Sequence, residues 1–232
     1  IEGIRRANEC QYGPAAHAPV LVMFALDARS ILTMPSTRFS DINMQRDEAR
    51  DGDTDDFFST IDFAKTYHEG GFGGDASIAN HRAAEVLCQS PLVLDDHLKW
   101  IVCRSEAERE TLIHLAGASA RALRPKIITS DDGKVFGKRF AFVEKVYASP
   151  EGVTFNLNPR HDWAVLKVRV EIHNEGDQLV FDQTYNGLSA RPNNGGSWIS
   201  KVKLHDGLHR VQIHIDDHVA YQNLLYVGEA LF

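Results

Sequence analysis

Four histidines lie close together near the C-terminus: His205, His209, His214 and His218. Imidazole is the commonest metal ligand in proteins, so this cluster is a candidate metal centre. The run Leu208–Ile215 alternates like a strand, which places His209 on the apolar face and turns His214 to the opposite face. Side chains on opposite faces of one strand cannot bind the same ion, and we therefore expect strand histidines without a metal.

An acidic run, Asp51–Asp55, has the carboxylate spacing that opens a calcium-binding loop. Such a loop needs glycine at its sixth position for a sharp turn and glutamate at its twelfth position for bidentate ligation. This sequence has Asp56 and Asp62 at those two positions. The run therefore favours a solvated acidic loop over a calcium site.

Glu85 is the remaining carboxylate with a distinctive setting. It follows a glycine-rich segment, Glu69–Gly74, which predicts a long surface loop, and long loops often carry function. The run Ala83–Cys88 alternates as a strand does, with Ala84 and Val86 on one face and Glu85 on the other. A lone carboxylate of this kind is more often a surface residue than a catalytic one, so Glu85 needs support from its surroundings.

Local signals predict the helices on both sides of this carboxylate. Asp75 is a helix cap, and a short helix is expected to follow it and to end at about Arg82. Ser105 and Glu108 form a capping box, in which Glu108 reaches back to the cap amide. The longer helix that begins there is expected to end at Gly117.

Beyond Pro125 the pattern changes to short apolar runs separated by turn residues. Seven such runs within about 100 residues are typical of an immunoglobulin-like β-sandwich. We therefore predict an α+β chain with two domains, residues 1–122 and residues 130–232, of which the second is the sandwich. The seven runs are Phe136–Tyr147, Val153–Leu157, Ala164–Ile172, Leu179–Tyr185, Ser197–Leu204, Leu208–Ile215 and Val219–Val227.

Composition limits the partners that the chain can attract. Its 232 residues include 25 lysines and arginines against 32 aspartates and glutamates, a net charge of −7. Such a surface has no general attraction for nucleic acid or anionic lipid, so any nucleic-acid contact has to be local. The longest apolar run, Ala18–Leu26, is shorter than the ~20 residues of a membrane span. The three cysteines form no C-x-x-C pair, which favours reduced thiols and a cytoplasmic protein.

Four segments together resemble the DarT family of DNA ADP-ribosyltransferase toxins. In that family a buried strand, a Phe-Ser/Thr-Asp segment, a variable loop and an Arg-x-Ala-Glu strand follow one another at similar distances. Here Arg82 and Glu85 carry the last motif, and the resemblance covers about residues 19–116. The four segments are Val20–Asp27, Arg38–Asn43, Asn80–Cys88 and Trp100–Cys103.

The resemblance implies an ADP-ribosyltransferase fold that splits NAD at the nicotinamide bond and attaches ADP-ribose to a thymine base in single-stranded DNA. Glu85 matches the family's catalytic carboxylate, which can stabilise an oxocarbenium-like ribose and accept a proton from the attacking base. The loop within Asp47–Ile78 is implied to hold the DNA. In this interpretation Arg82 contacts phosphate, and Tyr67 and Phe72 stack on bases.

The family pattern is incomplete in this chain. The family's first strands and helix, with the His and Arg that hold nicotinamide and phosphates, precede the matched segment, so we expect the NAD-binding half to be absent from this chain or supplied by another. Ile42 also stands where related sequences commonly have glycine. An alternative function stays open: a non-enzymatic interaction protein made of a degenerate transferase half and a partner-binding sandwich. Its partner, an antitoxin or another protein, would bind through residues 130–232.

Overall fold

The structure is a computed structural model that describes residues 22–130, 136, 141–158, 165–188 and 196–228. The chain divides into two compact units. The first unit is Ala25–Lys99, and the second runs from Trp100 onward and also includes the start of the first strand. Helices and several separate sheets are both present, in agreement with the expected α+β class.

The first unit consists of short elements joined by polar and glycine-rich segments. Strands β2, β3 and β4 form an antiparallel sheet in the order β3–β2–β4. Capping side chains start three of the helices, since Asp27, Thr54 and Asp62 each accept a hydrogen bond from a backbone amide of the first turn. The elements, after β1 (Val22–Leu26), are α1 (Ala28–Leu32), β2 (Arg38–Ser40), β3 (Asp51–Gly52), α2 (Asp55–Ser59), α3 (Phe63–Thr66), α4 (Ser77–His81), β4 (Val86–Leu87) and α5 (Leu94–His97).

A β–α–β connection follows. Strand β5 (Leu98–Cys103) leads into helix α6 (Glu106–Ala116), and α7 (Ala120–Leu123) precedes β6 (Ile127–Thr129). Strands β5 and β6 are parallel, as expected for strands joined through a helix, and their sheet has the order β1–β5–β6. Ser105 caps α6 and Gly117, at φ 52°, ends it, both as the sequence predicts.

Seven strands form two antiparallel sheets in the second unit, with the orders β10–β9–β12–β13 and β11–β8–β7. Each of the seven runs predicted from the sequence overlaps one of these strands. Their inward side chains share one apolar core, so the two sheets make a β-sandwich of four and three strands. The strands are β7 (Val143–Ser149), β8 (Gly152–Leu157), β9 (Leu166–His173), β10 (Leu179–Leu188), β11 (Gly196–Lys201), β12 (Gly207–Ile215) and β13 (His218–Val227).

Strict alternation explains why these sequences become strands. In β9 the buried positions are Leu166, Val168, Val170 and Ile172, and the residues between them are polar and more exposed. Strand β12 repeats the pattern.

The order of the strands differs from that of an immunoglobulin constant domain. Strand β10, the fourth of the sandwich, pairs with β9, the third. In an immunoglobulin constant domain the fourth strand instead pairs with the fifth. The sandwich therefore differs from that arrangement in one edge strand.

Helix α6 packs on the sandwich. The Tyr221 hydroxyl donates to the Glu110 carboxylate at 2.8 Å, and the Gln222 amide donates to the Thr111 hydroxyl at 3.0 Å. Burial raises the pKa of Tyr221 strongly, and the Glu110 charge adds to that shift. Ala107 of the helix belongs to the same apolar cluster as the sandwich strands. The helix thus shares a unit with the sandwich, whereas the sequence analysis assigns it to residues 1–122.

A buried ion pair fixes the start of α6. The Glu108 carboxylate accepts hydrogen bonds from the Arg104 amide and from the Arg104 guanidinium, and both side chains are almost fully buried. The guanidinium also lies 4.5 Å from the centre of the Phe142 ring. The capping box is therefore only half formed as predicted: Ser105 accepts from the Glu108 amide, but the Glu108 side chain extends one residue further, to Arg104.

None of the helices within the described ranges is long and apolar enough to cross a membrane.

We predict that a fragment of residues 100–232 melts at a higher temperature than a fragment of residues 130–232. The shorter fragment lacks the contacts of α6 with Tyr221 and Gln222, and a loss of about 2 kcal/mol lowers Tm by roughly 10 °C in a domain of this size. Thermal unfolding followed by circular dichroism measures the difference. Tyr221→Phe in the longer fragment is the matched control and should account for only part of it. Equal melting temperatures of the two fragments would contradict the shared core.

Candidate functional site

The pairing of β2 with β4 brings together two segments that lie far apart in the sequence. The Ser40 amide donates to the Glu85 carbonyl at 3.0 Å, and the Glu85 amide donates to the Ser40 hydroxyl at 2.7 Å. Ser40 is buried, with an exposed fraction of 2%. The Phe-Ser-Asp and Arg-x-Ala-Glu segments therefore lie side by side, and the backbone of Glu85 is held by hydrogen bonds in both directions.

The Glu85 side chain is exposed. Its carboxylate has no hydrogen-bond or ion-pair partner among the residues that the structure describes. The predicted strand Ala83–Cys88 is too long, because the turn after α4 continues through Ala83 and β4 begins only at Val86. Glu85 therefore immediately precedes the strand, with a fixed backbone and an unpaired carboxylate.

Arg82 contacts the glycine-rich loop. Its guanidinium donates to the Gly70 carbonyl at 3.1 Å and lies 5.7 Å from the centre of the Phe72 ring. Two of the three residues that this interpretation assigns to DNA, Arg82 and Phe72, are thus in contact with each other. Both side chains are exposed, but the arginine is already engaged in holding the loop.

The far end of this loop is held by a second set of polar contacts. The Asp75 carboxylate accepts from the Ser77 amide at 2.9 Å and pairs with the Lys65 ammonium at 3.0 Å, which also donates to the Ser77 hydroxyl. Between Gly70, which Arg82 contacts, and Asp75, the backbone has positive φ at Gly70, Gly73 and Gly74. Residues with a Cβ rarely adopt that conformation, which explains why the loop is glycine-rich.

An aromatic ladder leads from β2 to the surface. Its four rings are in sequential contact, with centroid distances of 5.1, 5.1 and 6.1 Å: Phe39, Phe58, Phe63 and Tyr67. Tyr67 is stacked nearly parallel on Phe63 and has an exposed fraction of 76%. Tyr67 is therefore an open stacking surface, and it is connected through the ladder to the strand that holds Glu85.

The sequence analysis did not identify Phe39 or Phe63 as stacking residues. Phe63 and Tyr67 are four residues apart on and just after α3, a spacing that could have identified this pair. Phe39 carries no such signal, because its contact with Phe58 spans nineteen positions. Phe57, which is not part of the ladder, lies against Gly52.

The first unit carries the negative charge of the protein. Residues 25–99 contain fourteen acidic and seven basic side chains, so the remainder of the chain is balanced. Several basic groups are paired within the unit: Arg38 with Asp51 and Lys99 with Asp27. The Lys99 contact lowers the pKa of Asp27. A nucleic acid approaching this unit meets no net attraction.

The C-terminal histidines lie on opposite faces of the sandwich sheet, as the alternation predicts. His209 is buried and its Nε2 lies 2.8 Å from the His205 carbonyl, whereas His214 faces Glu171, at 2.8 Å. Within the described part of the chain no group of three or more His, Cys, Asp or Glu side chains could hold a metal ion.

We predict that the glycine-rich loop loosens at acid pH. Hydrogen bonds from Ser77 and Lys65 lower the pKa of Asp75 to about 2, below its ordinary value of 3.8. A carboxyl group with a depressed pKa stabilises the folded loop above about pH 4 and loses this effect as the pH falls towards 2. Amide exchange protection of residues 69–77, measured between pH 5 and pH 2.5, follows this loss. Asp75→Asn should be less protected already at pH 5 and insensitive to pH, and identical profiles for the two proteins would contradict the assignment.

Comparison with known proteins assigns no family. No protein-family model and no curated protein matches the chain. Among solved structures, it is similar to dimeric latent PorU from Porphyromonas gingivalis, with 16% identity, a TM-score of 0.31, and coverage of 45% of this chain and 10% of that chain. It is also similar to a protein described as a β-galactosidase from Bacteroides fragilis, with 16% identity, a TM-score of 0.28, and coverage of 38% and 16%. Both similarities are too low to assign a fold or a function.

Proposed function

We propose that this chain is part of an NAD-dependent ADP-ribosyltransferase that modifies a nucleic-acid base, thymine in single-stranded DNA, with Glu85 as the catalytic carboxylate. The observation that carries the proposal is the setting of Glu85. Its backbone is fixed by Ser40, and its exposed carboxylate has no partner among the described residues. Such a carboxylate is available to a substrate, because no described group competes for it and its backbone is already fixed.

The chemistry requires one carboxylate at the reacting sugar. The bond between the ribose anomeric carbon and the nicotinamide nitrogen breaks, and nicotinamide leaves with the electron pair. The base nitrogen forms the new bond to that carbon and loses its proton. Glu85 stabilises the positive charge that develops on the ribose and accepts this proton. NAD is a substrate in this reaction, and Glu85 is the residue of this chain that we propose to act at its ribose.

The aromatic ladder supports a single-stranded nucleic acid as the second substrate. Unpaired bases stack on exposed aromatic rings, and each such contact contributes about 1–3 kcal/mol. Tyr67 offers a ring of this kind, and the ladder reaches β2, the strand that holds Glu85. Because the unit is acidic, binding should depend on bases more than on phosphates.

A second function is supported by the contacts of Arg82. In an interaction protein this arginine would serve only to hold the glycine-rich loop, as it does in the free chain, and the sandwich would bind an antitoxin or another protein partner. The two functions differ in whether Glu85 contributes to a reaction.

We predict that Glu85→Gln lowers the rate of ADP-ribose transfer by about 10²-fold or more while the free energy of unfolding stays within about 0.5 kcal/mol of the parent. The amide keeps the size of the side chain but cannot carry the negative charge or take the proton. The assay uses the form of the protein that includes the NAD-binding half, and mass spectrometry of a thymine-containing oligonucleotide incubated with it and NAD measures the transfer. Asp96→Asn, which neutralises an exposed carboxylate of the same unit outside the loop, is the control. Transfer by the glutamine variant within a few-fold of the parent would remove Glu85 from the reaction.

We also predict that Tyr67→Ala weakens binding of a short single-stranded thymine oligonucleotide by about tenfold, whereas Tyr67→Phe, which keeps the ring, binds like the parent. Fluorescence anisotropy measures both affinities. The logarithm of the dissociation constant should rise with the logarithm of the salt concentration with a slope below about 2, since each phosphate contact contributes about 0.7. A steep salt dependence, or equal affinity for an abasic strand, would contradict stacking on the ladder.

A further inference from the structure

Asp41, the residue after Ser40, is held by hydrogen bonds with Arg50. We call this pair the Asp41–Arg50 clamp. Its carboxylate accepts hydrogen bonds from the Arg50 amide and from the Arg50 Nε, both at 2.9 Å, and the Asp41 amide donates to the Arg50 carbonyl at 3.1 Å. Asp41 is 8% exposed, while the guanidinium of Arg50 reaches solvent. Burial alone would raise the pKa of Asp41, but the hydrogen bonds and the charge of Arg50 outweigh it and lower the pKa. The clamp is therefore ionised and closed at neutral pH.

The loop that this clamp closes also contacts the segment that leads to Glu85. The Asn43 amide donates to the Asn80 carbonyl at 3.0 Å, and the Arg46 Nε donates to the Asn80 side chain at 3.1 Å. The Asp41 carbonyl lies 3.2 Å from the His81 Nδ1. These contacts lie at the end of α4, at Asn80 and His81, five and four residues before Glu85.

The segment Asn80–Glu85 is thus held at both ends by one stretch of chain. Ser40 holds Glu85, and the loop from Asp41 to Arg50 holds Asn80 and His81. The intervening residues form a tight turn rather than a strand, so they do not fix the direction of the Glu85 side chain by sheet pairing. The two anchor points fix the backbone from which the Glu85 carboxylate extends.

We propose that the Asp41–Arg50 clamp is a positioning device for Glu85, which it controls through Ser40 and through the end of α4. This inference rests on the proposed function in naming Glu85 as the catalytic carboxylate. Neither Asp41 nor Arg50 needs to touch a substrate, and a misplacement of a catalytic group by about 1 Å can cost about 10²-fold in rate. Loss of the clamp should therefore lower kcat and leave KM nearly unchanged.

The test is a double-mutant cycle with two readouts. Ser40→Ala removes the hydroxyl that accepts from the Glu85 amide, Arg50→Ala opens the clamp, and the third protein carries both changes. Each single variant should lower kcat for ADP-ribose transfer by about 10-fold to 100-fold, with KM for NAD and for the oligonucleotide within about twofold. Because both residues act through one unit, the double variant should be no slower than the slower single variant. Arg38→Ala removes an arginine of the same sheet that does not contact Asp41, and it is the matched control.

Amide exchange supplies the readout that does not require activity. Arg50→Ala should speed exchange of the Glu85 amide by about tenfold, while Arg38→Ala leaves it unchanged. If Arg50→Ala fails to fold, Asp41→Asn combined with Arg50→Ala removes the stranded buried charge and serves in its place. Unchanged exchange at Glu85 overturns the positioning role. Multiplicative losses in kcat, or a change in KM alone, overturn it as well.

The two readouts separate this inference from the proposed function. A parent protein that transfers no ADP-ribose even when the NAD-binding half is supplied overturns the proposed function, and faster Glu85 exchange in Arg50→Ala then still supports the clamp as the device that holds this segment. If the parent is active and Arg50→Ala has the same kcat as the parent, the positioning role of the clamp is overturned and the proposed function stays intact.

Discussion

The hydrogen bonds between Ser40 and Glu85 are the constraint on which the candidate site depends. They join β2 to β4, two strands of only three and two residues. Sheets this small have little core of their own, so polar contacts from the loops carry much of their order. The Asp41–Arg50 clamp, the arginine that holds Gly70 and the ion pair at Asp75 all have this character. The unit is thus a set of short elements held by specific polar contacts, and these contacts fix the backbone at Glu85.

The sandwich unit is held together in a different way. Its two sheets enclose a continuous apolar core, and helix α6 extends that core with Ala107. The Arg104–Glu108 pair fixes the start of the helix, and Tyr221 joins its middle to β13. Removing one member of a buried ion pair strands a charge, so this end of the helix should tolerate little change. The contrast with the first unit follows from the sequence, in which apolar alternation is strong beyond Val143 and weak before Leu98.

Predictions from the sequence succeeded where a signal is local. The alternation of β9 and β12, the opposite faces of His209 and His214, and the cap at Ser105 are all readable over a few residues. Prediction stopped where contacts join distant positions. The ladder contact between Phe39 and Phe58, and the partner of Glu108, depend on how the chain folds back on itself. The Glu85 strand was predicted too long because Ala83 and Ala84 fit an alternating pattern that the preceding helix and turn override.

A crystal structure of the chain together with the NAD-binding half that the proposed function requires, an unreactive NAD analogue and a thymine-containing oligonucleotide would test the central claim most directly. The measured quantity is the distance from the Glu85 carboxylate to the anomeric carbon of the nicotinamide ribose and to the reactive base nitrogen. The account predicts that the carboxylate lies within hydrogen-bond reach of the base nitrogen, about 3 Å, directly or through one water, and beside the ribose. A ternary complex in which both ligands are bound and Glu85 lies more than about 8 Å from either reacting atom would contradict it, since no single water spans that gap.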